Sequence, residues 1–335
     1  MTELKDNVLV AQQSNSSAAI LTDPRKKKPF KVRLKSDIKR NWALYLIFLP
    51  VLVLTFVFCY MPLFGVLMAF EDFSFSKGFF GSEWVWFENF IDLFSSPDFG
   101  NVMRNTVCIA LINLTLGFLI PVIFALMLAS AQPKWFKRIV QSVSYMPNFV
   151  ATVVLVSLLN EFLDVEGVLT KVLVAFGLPE QNYVTLNSPG FWFVNLFADM
   201  WQGMGYASIV FVAAISSVNP NLHEAAAMDG ATRFQRLIHI TIPCILPTII
   251  TMWTLKVGMV FKQGFDKTIL MIVPQNYEYG DNLISYTYGY AIDGSRGRIN
   301  YGLSSASSLI QSVISTVLLV VSNWLNKKLA NTSLF

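Results

Sequence analysis

Apolar residues come in six long runs, near 43–70, 106–130, 143–163, 191–217, 243–264 and 305–325, with polar or mixed stretches between them. Each run is long enough for a helix to cross about 30 Å of hydrocarbon at about 1.5 Å per residue. The pattern predicts an all-α integral membrane protein with six transmembrane helices. Pro50 and Pro62 in the first run and Pro121 in the second predict kinks and not breaks, because neighbouring groups can satisfy the freed carbonyls. Ahead of these runs, residues 1–24 are polar and lack the apolar core of a signal peptide. Residues 25–41 are basic with Phe30, Val32, Leu34 and Ile38 interleaved, which predicts a short helix held on anionic lipid. The chain therefore divides into a tail, 1–41, and a membrane domain, 42–335.

Composition agrees with that class. Of 335 residues 54% are hydrophobic and 14% charged, where a soluble protein carries about 25% charged residues. The formal net charge of +4 is not a nucleic-acid footprint, since nine of the 25 Lys and Arg crowd into residues 25–40. With the N-terminus inside, the inner segments hold seventeen Lys and Arg and the outer segments six. The positive-inside rule then places both termini in the cytoplasm. Three Cys without CxxC spacing and only two His, His223 and His239, leave no zinc site, disulfide framework or catalytic cluster in view.

The outer segments are long and aromatic. Trp84, Trp86, Phe87, Phe90 and Phe94 predict a helix in the outer interface. The Tyr-rich stretch 265–304 reads either as an aromatic belt or as a cap that docks an external protein or a sugar ring.

Between the fourth and fifth runs, Asn219-Pro220-Asn221 signals a helix start. An Ala-rich turn follows, Gly230 permits a reversal, and a second amphipathic helix is expected to run to Pro243. The result is a short rigid device on the cytoplasmic face that presents Glu224 and Asp229 to a soluble partner.

Glu224-Ala225-Ala226, Gly230, Ile240, Ile242 and Pro243 reproduce the EAA-x3-G-x9-I-x-L-P signature, with Ile242 in place of Leu. In this the chain resembles the permease subunits of binding-protein-dependent ABC importers. Trp86-Phe87-Glu88-Asn89-Phe90 and Arg104-Asn105-Thr106 look like carbohydrate-type permeases, and Tyr145-Met146-Pro147-Asn148-Phe149 resembles the polysaccharide (LplB-like) branch. The resemblance implies a type I importer transmembrane domain in a bacterial plasma membrane. It implies a second homologous permease, two cytoplasmic ATPases and an extracellular solute-binding protein as partners. Glu224, Ala225, Ala226, Asp229, Gly230 and Pro243 would form the coupling site, with Glu224 facing a basic residue of the ATPase. The chain has no Gly-Lys dipeptide and so no P-loop. ATP and Mg would be bound by the partner ATPase, and this chain would need no cofactor and carry no enzymatic step. An oligosaccharide is the expected substrate, with peptides or small polar solutes as the alternative.

Ionisable groups inside spans mark functional paths. Asp199, Gln202, Gly203 and Tyr206 share one face of the fourth span by i, i+3, i+4, i+7 spacing, and Lys256, Val260 and Gln263 one face of the fifth. Asp199 and Lys256 are at similar depth, so they form either an ion pair or a substrate contact. Trp201 or Trp253 would supply a ring platform. The resemblance to maltose-type permeases supports both faces pointing inward.

Overall fold

The computed structural model describes residues 39–261, 264–294 and 297–330. The expected surface helix at 25–41 lies almost wholly outside them. The chain divides into two compact units between Phe64 and Gly65. The first contains helix α1 (Trp42–Thr55), which continues through Pro50 into a π-helical turn, Phe56–Tyr60. There Met61 N–H bonds the carbonyl of Phe56, five residues back. This longer turn carries the helix past Pro62, which has no N–H to give.

In the second unit an antiparallel pair, β1 (Glu71–Asp72) and β2 (Glu83–Trp84), precedes helix α2 (Glu88–Ser95). The expected single interfacial helix is therefore a hairpin followed by a two-turn amphipathic helix. Gly78, at φ 66°, turns the hairpin, a conformation that favours glycine. The long helices follow: α3 (Phe99–Ser130), α7 (Gly190–Ser216), α10 (Ile242–Met259) and α14 (Tyr301–Ala330). Among the described residues four helical stretches are long and apolar enough to cross a membrane, those of α3, α10 and α14 among them, and the number reaches six if each of two bent pairs, one of them containing α7, is a single span.

One bent pair departs from the expected straight span at 143–163. Helix α4 (Lys134–Tyr145) is amphipathic and passes through a 3-10 turn, Met146–Phe149. Helix α5 (Thr152–Phe162) then leaves at 100°. Its eleven residues span only about 16 Å. The break falls at Val150 and Ala151, both extended, just after the turn that Pro147 starts. Val150's carbonyl, lost to the helix ladder, accepts from Gln202 Nε2 at 2.9 Å. A short helix, α6 (Val168–Ala175), leads on to α7.

Helices α3 and α7 make the most extensive contact in the unit. In hydrocarbon such contact rests on close packing, so small residues decide where backbones meet. At Gly205 a Cβ would stand 2.0 Å from the carbonyl oxygen of Ser144, so only glycine lets α7 approach the end of α4. Phe118, Val122, Ala125, Phe211 and Ile245 form the buried cluster that joins α3, α7 and α10.

Candidate functional site

The helical spacing of Asp199, Gln202, Gly203 and Tyr206 puts all four on the wall of one cavity of about 480 Å³ between α3, α7 and α10. Lys256 of α10 lines it too, with Asn113 and Gly117 of α3 and Asn148 of the α4–α5 elbow. Gly203 faces open space, with nothing within 4 Å of where a Cβ would sit. Trp201 does not line the cavity, and Trp253 lines a separate recess with Leu116 and Asn326. The aromatic surface of the cavity is instead that of Tyr206, Phe118 and Phe211. Gln263 lies outside the described residues.

Asp199 and Lys256 do not form an ion pair with each other. Asp199 Oδ1 meets Lys267 Nζ at 2.5 Å, and Lys267 also donates to the carbonyl and Oδ1 of Asn195, at 2.9 and 2.8 Å. Lys267 belongs to α11 (Phe265–Met271), which folds back against α7 after Gly264 at φ 77°. All three ammonium donors are used, as a buried Lys requires. Lys256 Nζ instead donates to the carbonyl of Gly117 at 2.7 Å. That carbonyl is the one Pro121, four residues on, cannot use. A second, smaller cavity of about 40 Å³ is lined by Asn113, Asn195, Asp199, Lys267, Thr268 and Gln311. Asn113 is polar but not ionisable, so the rule that singles out Asp199 passes over it. Lys267 gave no such signal, because it falls past the apparent end of the fifth run.

The 219–243 segment is built as a jointed rigid unit. Asn219 caps α8 (Pro220–Met228) by accepting from Asn221 N–H, and α8 leaves α7 at 65°. Gly230 takes φ 79°, and Ala231 N–H closes the end of α8 onto the carbonyl of Ala226 at 2.9 Å. Thr232 and Gln235 form a reciprocal capping box at the start of α9 (Arg233–Arg236). Arg236 Nη1 ties back to the carbonyl of His223 at 3.3 Å. Glu224, Ala225, Asp229 and Gly230 are exposed, and Ala226, Asp229 and Gly230 border a recess of about 380 Å³. The second helix does not stop at Pro243. It passes through a π turn, Leu237–Thr241, into α10, making one helical run from Arg233 to Met259. The π turn accommodates the proline: Ile242 N–H bonds the carbonyl of Leu237, five residues back, just before the residue that has no N–H to give.

Two short motifs prove to be anchors. Asn89 Nδ2 donates to the carbonyls of Ala69 and Glu71, at 3.1 and 3.0 Å, and holds the hairpin. Asn105 Nδ2 donates to the carbonyls of Glu278 and Asp281, at 3.0 and 2.8 Å. Thr106 Oγ1 accepts from Leu283 N–H, and Arg104 lies 4.4 Å over the Tyr279 ring. Tyr286 is fully buried beside Tyr290, so at this position the Tyr-rich stretch is core and neither belt nor cap.

The family described as binding-protein-dependent transport system inner membrane component has a model that matches residues 117–331. The chain is similar to Protein LplB of Bacillus subtilis, 36% identical over 89% of this chain and 92% of that one. It is 33% identical to the polygalacturonan/rhamnogalacturonan transport system permease protein YteP of the same organism, over 92% of this chain and 95% of YteP. A bacterial ABC transporter involved in the import of the acidic polysaccharide alginate superposes with a TM-score of 0.79. The identity is 33%, covering 89% of this chain and 99% of that one. A second structure of that alginate transporter, in complex with alginate pentasaccharide-bound periplasmic protein, also gives 0.79, at 32% identity over 90% of this chain and 100% of that one.

Proposed function

Since this chain belongs to the family of binding-protein-dependent transport system inner membrane components, we propose that it forms the translocation path of an ATP-driven importer for polysaccharide fragments together with a second, homologous permease. One observation carries the reading. The 219–243 unit joins the two helices that wall the cavity: α7, bearing Asp199, Gln202, Gly203 and Tyr206, and the run 233–259, bearing Lys256. A displacement of the unit is therefore transmitted to both walls at once, which is what alternating access between two states requires.

In this reading two cytoplasmic ATPases hold ATP and Mg and seat the exposed Glu224–Gly230 segment. Their closure opens the cavity outward, and hydrolysis resets it. An extracellular solute-binding protein delivers the substrate, as in the alginate complex, whose periplasmic protein carries a pentasaccharide. The excess of basic residues in the inner segments supports cytoplasmic termini. The names of YteP and of the alginate transporter favour a saccharide over the peptide alternative. The asparagines and glutamine of the wall suit hydroxyl-rich rings, and the Tyr206 ring offers a stacking face.

The test is reconstitution of the four-subunit transporter in liposomes with its solute-binding protein. Oligosaccharide uptake that needs ATP and both permeases is the expected result. Uptake by this chain alone, or none of any oligosaccharide by the full assembly, overturns it.

A further inference from the structure

We propose that the cavity between α3, α7 and α10 selects anionic saccharides, with Lys256 receiving the carboxylate of a uronate unit; this rests on the polysaccharide reading above. Among the described residues, Asp199 and Lys256 are the charged side chains of the wall. Asp199 is already paired with Lys267 at 2.5 Å, and Lys267 gives its other donors to Asn195. Those two charges cancel. Lys256 has three donors, of which one goes to a neutral carbonyl, that of Gly117.

The cluster of Asp199, Lys267 and Lys256 therefore carries one net positive charge, and its single carboxylate, bonded to Lys267, also lies within electrostatic reach of Lys256. A charge at membrane depth is costly unless it is matched. A ligand carboxylate supplies the match on arrival, so the charge discriminates between ligands as well as binding them. A uronate brings one negative charge to one ammonium. A phosphate ester brings about two at neutral pH and would call for a further cation. The rest of the wall accords with a hydroxyl-rich acid. Asn113 and Asn148 offer donors and acceptors, and Gln202, one of whose two amide N–H groups is spent on Val150, has its oxygen to accept with. The volume of about 480 Å³ lies within the range of small-molecule sites.

The experiment uses the complete transporter in nanodiscs and two probes, trigalacturonate and its carboxyl-reduced counterpart galactotriose, in equilibrium binding. Wild type should prefer trigalacturonate by about tenfold or more, as one charge-assisted contact provides. Lys256→Gln keeps a donor and removes the charge. It should bind the two probes equally, while Lys256→Arg keeps the preference. No preference in wild type overturns the inference, as does a preference that survives Lys256→Gln. Equal loss of both probes in that variant assigns Lys256 a packing role and overturns it too. Should Lys256→Gln fail to assemble, wild type at low and high salt decides, because only an ionic preference shrinks with screening. If wild type binds neither probe, the polysaccharide reading falls as well. Binding of galactotriose without charge preference leaves that reading standing and removes this one.

Discussion

The ammonium of Lys256 stands 2.7 Å from the carbonyl oxygen of Gly117, in the place where a helix would put the N–H of residue 121. Pro121 opens that gap and Lys256 fills it from another helix. Removing the donor by Lys256→Met should leave a buried carbonyl unpaired and cost about 1–3 kcal/mol. In a Pro121→Ala background residue 121 supplies its own N–H, so the same change should cost clearly less. Melting of the four combinations in detergent checks this, and equal losses in both backgrounds would refute the coupling.

Asp199 and Lys267 form the second relationship, and here neither partner is expendable alone. Asp199→Ala leaves a buried ammonium with only Asn195, and Lys267→Met leaves a carboxylate inside the span. Each single change should destabilise by about 3 kcal/mol or more, whereas an apolar pair, Asp199→Leu with Lys267→Met, should recover most of it. The yield of assembled transporter after size exclusion reads the difference. A double variant no better than the singles would count against the pairing.

These two contacts mark the limit of what the sequence discloses. Apolar runs locate the long helices because hydrocarbon demands length and hydrophobicity, so α7 begins one residue from its expected start. Helical spacing likewise puts Asp199, Gln202, Gly203 and Tyr206 on one wall, since 3.6 residues per turn is fixed by the backbone. The EAA segment is legible because its caps and its Gly230 turn are local. What stays hidden depends on where distant segments return. Nothing local says that α11 folds back to bring Lys267 to Asp199. The bend at Val150 escapes too, because the groups that compensate it lie on α7. Trp201 was misplaced for a simpler reason: ring chemistry does not reveal which side of a helix meets a cavity.

Two glycines two residues apart on α7 should respond in opposite ways. Gly205 meets the carbonyl of Ser144, where a Cβ would come within 2.0 Å, so Gly205→Ala should cost about 1–3 kcal/mol by forcing α7 from α4. Gly203 faces the open cavity, and Gly203→Ala should melt like wild type. Gly203→Phe should assemble normally and block uptake by filling the path. Thermal melting and transport together separate these outcomes, and normal transport by Gly203→Phe would place the path elsewhere.

Glu71 sets a pH dependence. Its side chain is buried in the β1–β2 hairpin, and both carboxylate oxygens lack a hydrogen-bond partner among the described residues. Burial disfavours the charged form and pushes its pKa up from the ordinary carboxylate value. An acid whose pKa is raised on folding contributes most at low pH, and the contribution is lost as pH rises through the folded value. Glu71→Gln should therefore raise the melting temperature at pH 7 and gain nothing at pH 4. A gain of the same size at both pH values would show that ionisation plays no part.

The 219–243 unit gives the most direct test of the proposed mechanism, because its Gly230 turn and its exposed charge can be altered separately. Gly230 holds φ 79° and donates its N–H to the carbonyl of Ala227 at 3.1 Å. Proline there is fixed near φ −65° and has no N–H, so Gly230→Pro should unhinge α8 from α9. Glu224 is exposed and belongs to no ion pair within the described chain, so Glu224→Lys should leave the fold intact and reverse the charge offered to the ATPase. Both variants should reach the membrane, and in both substrate-loaded binding protein should no longer stimulate ATP hydrolysis or drive uptake. Thr232→Ala removes only the capping box, at about 1 kcal/mol. It should lower the rate without abolishing coupling, because Arg236 still ties α9 to His223. Wild-type coupling in Gly230→Pro would mean that force enters this protein by another route.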